Sequence, residues 1–136
     1  MPLEAYLTML KREMGLGDWT LHEGERLAED SDNYATIQAQ WGAREATLRL
    51  CSGFEALAPD VQRRVLVHEL SHLFTDRLVS WVRVWLEELS PAARRQAERL
   101  LMEEWEFVTD AVERALSPWM PMPTDEARWW GWEGTD

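Results

Sequence analysis

Two histidines four residues apart, with a glutamate directly after the first, sit inside an otherwise apolar run, Val65-Leu66-Val67-His68-Glu69-Leu70-Ser71-His72-Leu73-Phe74. No other feature narrows the options of this chain as much. The apolar positions Val61, Val65, Leu66, Leu70, Leu73 and Phe74 recur at helical spacing behind Pro59-Asp60. Residues four apart on a helix share one face about one turn apart, so both imidazoles can approach a single point. Two imidazoles and a carboxylate are costly to bury without partners. A metal ion supplies that partner, and zinc takes neutral imidazole nitrogen readily. Glu69 projects about 100° round from His68. It would therefore stand beside such an ion rather than on it, where it can take a proton from water the ion has acidified.

The remaining elements are arranged around this helix. Leu3, Tyr6, Leu7, Leu10 and Met14 predict a helix over residues 3–14, ended by Gly15 and Gly17. Residues 18–25 alternate weakly, predicting a strand, and 26–33 are a polar loop. The runs 34–41 and 45–50 alternate on either side of Gly42-Ala43-Arg44, predicting a β-hairpin. The helical pattern from Pro59 extends to Leu89 with a break expected near Ser80, and Ser90-Pro91 starts a further helix that ends at Leu116. Pro118, Pro121 and Pro123 preclude a helix beyond it. The expected architecture is α+β. It comprises an N-terminal helix, a small three-stranded mainly antiparallel sheet, the motif helix and a long following helix. These form one domain over residues 1–116, with a Trp/Pro-rich extension over 117–136.

Length and charge bound the partners. A chain of 136 residues is long enough for one core. Its net charge of −11 repels phosphate backbones and anionic lipid heads, so neither nucleic acid nor membrane is expected as a partner. Cations and basic partners are favoured. The single cysteine, Cys51, has no internal disulfide partner and reads as a buried structural thiol at the end of a strand. Residues 1–6 do not resemble a signal peptide and no apolar stretch is long enough to span a bilayer, so a reducing, cytoplasmic location is expected.

Three glutamates of the last helix compete to join the two histidines: Glu103, Glu104 and Glu106. On a helical wheel of residues 100–116, Leu100, Leu101, Phe107, Val108, Ala111, Val112 and Ala115 form one stripe. Glu103, Glu106, Asp110 and Glu113 fall on the opposite side, and Glu104 lies within the stripe. The pattern alone leaves all three open.

The run His68-Glu69-Leu70-Ser71-His72-Leu73-Phe74-Thr75-Asp76 resembles the active-site helix of the gluzincin zinc metallopeptidases, in particular thermolysin-like members, down to the aspartate four residues past the second histidine. In that family the third ligand is a glutamate on a following helix, with a small residue at +3 and an apolar one at +6. Thermolysin-like members add an aspartate at +4 that braces a ligand histidine. The segment Glu106-Phe107-Val108-Thr109-Asp110-Ala111-Val112 is similar to this pattern. The resemblance thus implies a zincin-like domain in which His68, His72 and Glu106 hold Zn2+, with Glu104 and then Glu103 as alternatives for the third place. It implies that Glu69 acts as general base in peptide-bond hydrolysis, that Asp110 braces a histidine and that Asp76 assists from the helix end. The strand before the motif helix, 46–50, would hold an extended peptide substrate, and His22 and Tyr34 are the aromatic donors available to an oxyanion. Two departures stand out: a longer gap between His72 and Glu106 than in thermolysin, and Trp105 where asparagine is common. The layout is similar to small single-domain gluzincins, including those coded by phages and prophages. The other readings are a zincin-like metal-binding domain without peptidase activity, serving as sensor or interaction module, and a helical module in which the motif is accidental. Nine tryptophans complete the picture. Trp19, Trp41, Trp81, Trp85, Trp105 and Trp119 read as anchors, whereas Trp129, Trp130 and Trp132 crowd a tail suited to docking on the domain, near its cleft, or on a protein partner.

Overall fold

The helix α1 (Leu3–Glu13) turns Tyr6, Leu7, Met9 and Leu10 inward and places Lys11 and Arg12 at the negative end of its dipole. In this computed structural model, which describes residues 3–40 and 42–123, three strands follow: β1 (Thr20–Glu23), β2 (Ala35–Gln40) and β3 (Glu45–Leu50). The predicted hairpin forms between β2 and β3, in register from Ala35 opposite Leu50 to Gln40 opposite Glu45. Its turn is closed by two residues in the left-handed region, Gly42 (φ 87°) and Arg44 (φ 53°), the first at no steric cost. Ala46, Leu48 and Leu50 alternate into the core.

The expected three-stranded sheet forms, with one parallel and one antiparallel ladder. Its order is β1-β3-β2, with β1 parallel to β3, so the three strands form a mixed sheet. The cause lies in the loop after β1, which keeps following β3 before it crosses to β2. Gly24 N donates to Leu48 O and Leu27 N to Leu50 O, both at 2.8 Å. Glycine is required there: a Cβ on Gly24 would lie 2.8 Å from Thr47 Cγ2 and 2.9 Å from Arg49 Cγ. Consequently β3 is the central strand and β2 is the edge beside the motif helix. The expected substrate strand, 46–50, has both of its edges paired, and an incoming peptide can pair only with β2 on this side of the sheet.

The motif helix α2 (Pro59–Leu86) runs unbroken through Ser80 and stops at Leu86, three residues short of the expected end. Its first half buries Leu66, Val67, Leu70 and Leu73 in the core shared with α1 and the sheet. Ser90 caps α3 (Pro91–Leu116) as expected, its hydroxyl accepting from Ala93 N, with Pro91 in the first turn. α3 returns antiparallel along α2, as side-chain contacts pair Arg83 with Met102, Thr75 with Trp105 and His72 with Thr109. The chain then makes a short turn, Ser117–Trp119. Tyr6 Oη donates to Pro121 O at 2.8 Å and Arg63 Nη1 to Met120 O at 3.2 Å, tying residues 120–121 to α1 and α2. Trp19 and Trp105 are half-buried, whereas Trp81, Trp85 and Trp119 are exposed and are not among the core residues. Trp41 and the tail tryptophans lie outside the described residues, and so does the docking role read for that tail. Among the described residues no helix is long and apolar enough to cross a membrane.

Candidate metal centre

α2 and α3 each present a polar strip where they face one another, and the strips meet at His68, His72 and Glu106. Glu106 spans the two rings: its Oε1 lies 3.0 Å from His72 Nε2 and its Oε2 lies 3.3 Å from His68 Nε2. The rings themselves stand edge to face, 5.1 Å apart at 85°. Each ring has its other nitrogen occupied. His68 Nδ1 is 3.1 Å from Asp110 Oδ1, and His72 Nδ1 is 3.3 Å from Thr109 Oγ1.

These second contacts decide which nitrogens carry protons. The Thr109 hydroxyl spends its single proton on Trp105 O at 2.7 Å, so toward His72 it can only accept. His72 Nδ1 is therefore the donor. The carboxylate of Asp110 likewise accepts from His68 Nδ1. A neutral imidazole in either position then presents the lone pair of its Nε2 toward Glu106, as a metal ligand must. The two Nε2 atoms and the two carboxylate oxygens thus converge at 3.0–3.3 Å. Burial, acting against the field of the Glu106 carboxylate, holds His72 below the ordinary histidine value and favours its neutral form.

The donor set fits zinc. Ligand atoms around a tetrahedral ion with bonds of ~2.0–2.1 Å stand ~3.3–3.4 Å apart, close to the spacings here. His68, Glu69 and His72 also bring ligand-type atoms within 4.8 Å of one another, as do His68, Glu106 and Asp110. A cavity of about 570 Å³ opens beside the cluster. Tyr34 and Ile37 line it from the β2 side, Val65 from α2, and Met102 and Trp105 from α3.

Glu69 occupies the inner wall of this cavity, only 7% exposed. Burial first, and the charge of Glu106 second, push its carboxyl up to about 8. An unfolded glutamate titrates near ~4.3, so the folded state holds this proton more tightly than the unfolded chain. The associated stability is complete below about that value and is lost as pH rises through about 8. For protein stripped by a chelator, we expect urea midpoints to fall between about pH 5 and pH 9 by the equivalent of a few kcal/mol. The Glu69→Gln variant should lack that component; equal slopes in the two proteins would contradict the assignment.

The other sequence-derived candidates sort clearly. Glu103 and Glu104 are exposed and stand outside the cluster. Asp76 neither lines the cavity nor meets a ring nitrogen among the described residues; the charge acting on it is that of Arg83. His22 pairs with Glu45 at 3.3 Å on the far side of the sheet, whereas Tyr34 is on the cavity rim. Sequence reasoning missed the working roles of Trp105 and Thr109. Trp105 Nε1 donates to Thr75 Oγ1 at 2.7 Å, and its ring packs edge-on to His72, 4.8 Å away. The signal was present in the spacing: Trp105 and Thr109 are four apart on the helix that carries Glu106, and so share a face with each other. Comparison with known protein families, with curated proteins and with solved structures found no match.

Proposed function

We propose that this chain is a zinc-dependent metallopeptidase domain of zincin-like architecture, with His68, His72 and Glu106 as metal ligands and Glu69 as general base. The observation that carries the reading is the convergence of the Nε2 atoms of two histidines one helical turn apart on one carboxylate of the facing helix, with each ring's Nδ1 engaged from behind. Zinc, when bound, supplies a Lewis acid that brings the pKa of a water toward ~7. Glu69 then takes a proton at its carboxylate and returns it to the leaving amine. A divalent charge nearby lowers the affinity of Glu69 for its proton from the raised value of the metal-free site, which readies it as an acceptor near neutral pH. Asp110 and Thr109 keep the two rings aimed and Trp105 excludes water from the buried side of His72. The outer edge of β2 offers main-chain groups to an extended peptide, and Tyr34, which lines the cavity, is the aromatic hydroxyl available to an oxyanion. The half-buried, unpaired Cys51 accords with a reducing cytoplasm.

Elemental analysis tests the first half of this reading. Protein purified without chelator and without a metal-binding tag should carry one zinc per chain, removable by chelation and restored by stoichiometric zinc. Zinc-free protein that takes up none on titration would end the proposal, whatever its activity.

A further inference from the structure

α3 buries almost nothing. Of its 26 residues, all described, Thr109 alone is buried, and it faces α2. The polar strip of Glu106 and Asp110 is spent on the histidines. The apolar stripe is therefore turned outward: Leu100, Phe107 and Val108 are 49, 66 and 43% exposed, and Ala111 and Ala115 are exposed beside them. Trp119, 83% exposed, follows the end of the helix. Singly exposed apolar side chains are ordinary, but a contiguous apolar stripe of this kind marks an interaction surface.

We propose that the outer face of α3 is a homodimer interface, in which a second copy of the chain lies against it antiparallel about a two-fold axis. Two features select a second copy over other partners. The first is charge. In a chain of net −11, the outer face of α3 over residues 100–116 carries Glu104 within the stripe and Glu103 and Arg114 at its margin with the polar side, a net of −1. Two such faces can approach with less repulsion than the rest of the molecule would impose. The second is self-complementarity. Glu103 and Arg114 are eleven residues apart, three turns, and so lie along the same edge of α3. Turning a second helix end for end about the axis sets Arg114 of the second copy opposite Glu103, and the reverse, forming the pair twice. The same register lays Phe107 over the small Ala111 of the other copy and brings Leu100 toward the other Trp119. The cavity stays open, since its groups lie on the opposite side of α3.

The helix is ~39 Å long, so one face buries a few hundred Å² per copy. A standard interface buries about 800 Å² on each partner. Association should accordingly be in the micromolar range, visible as a concentration-dependent shift rather than a fixed dimer.

Sedimentation velocity on the full chain, from about 2 to about 200 µM, tests this directly. The expected result is a rise from the 15.9 kDa monomer toward twice that mass. Glu103→Arg and Arg114→Glu should each weaken self-association about tenfold, because each places like charges opposite one another twice. Mixed in equal amounts, the two variants should associate again, because a Glu103→Arg copy facing an Arg114→Glu copy restores both pairs. Both substitutions are on the surface, and unchanged helicity by circular dichroism certifies the fold. A wild type that stays monomeric at the top of the range would overturn the proposal. So would charge variants that dimerise as well as the wild type, or a mixture that associates no better than its components.

Discussion

Glu69→Gln should reduce peptide hydrolysis by about 10²–10⁴-fold while leaving zinc at one per chain. The amide keeps the size of the carboxyl and its place on the cavity wall, and it removes only the ability to accept a proton. Glu69 is on α2 beside His68 with its carboxyl within 4.8 Å of the histidine ligand atoms, and the amide keeps an oxygen in that place, so His68, His72 and Glu106 should retain the metal. Its environment also argues for a proton-handling role. A carboxyl that burial raises to about 8 in the metal-free site is poised between its two forms near neutral pH once a cation is bound close by. The variant should fold at least as well as the wild type in the absence of metal, since it carries no charge to bury. Hydrolysis within tenfold of the wild type, with zinc bound, would remove Glu69 from the mechanism. Loss of zinc from Glu69→Gln would show that the ligand set has been misread.

Glu106→Ala should abolish most of the stabilisation that zinc confers on the fold. A ligand present at 1,000 times its Kd contributes about 4 kcal/mol, which for a chain of this size raises Tm by on the order of 10–20 °C. Among the described residues Glu106 is the one carboxylate that meets the Nε2 atoms of both rings, and α3 reaches the site through it. Its removal leaves the two imidazoles of α2 as a weak pair that no longer ties the two helices together. Glu104→Ala and Glu103→Ala should keep the full zinc-dependent rise, because both side chains point away from the cluster into solvent. Differential scanning calorimetry with and without zinc on the three variants decides the matter. An undiminished rise in Glu106→Ala would return the third place to another carboxylate.

The uneven legibility of this chain has a physical basis. Helix starts were readable because they depend on neighbours: Pro59 and Ser90-Pro91 both begin helices where local capping chemistry predicts them. The hairpin was readable for the same reason, its alternation and its glycine turn being contained within 16 residues, 35–50. The break expected near Ser80 did not occur, because serine is tolerated inside a helix whose neighbours favour it and which packs along α3. The parallel placement of β1 was not readable. It depends on which strand the loop beyond Gly24 follows, and alternation within a strand carries no record of its neighbour.

The site divides along the same line. By itself the sequence determined that His68 and His72 share one side of one helix with Glu69 turned aside, since helical geometry at a spacing of four residues leaves no freedom in that. It also determined that Glu106 and Asp110 share a side of α3. Only the tertiary structure decided that this side, rather than the apolar one, packs toward α2, that Thr109 and Asp110 hold the rings from behind, and that β2 is the open edge. The angle between two residues of one helix is set by its backbone, whereas the mutual rotation of two helices is set by how every side chain between them packs, a sum that no local pattern contains.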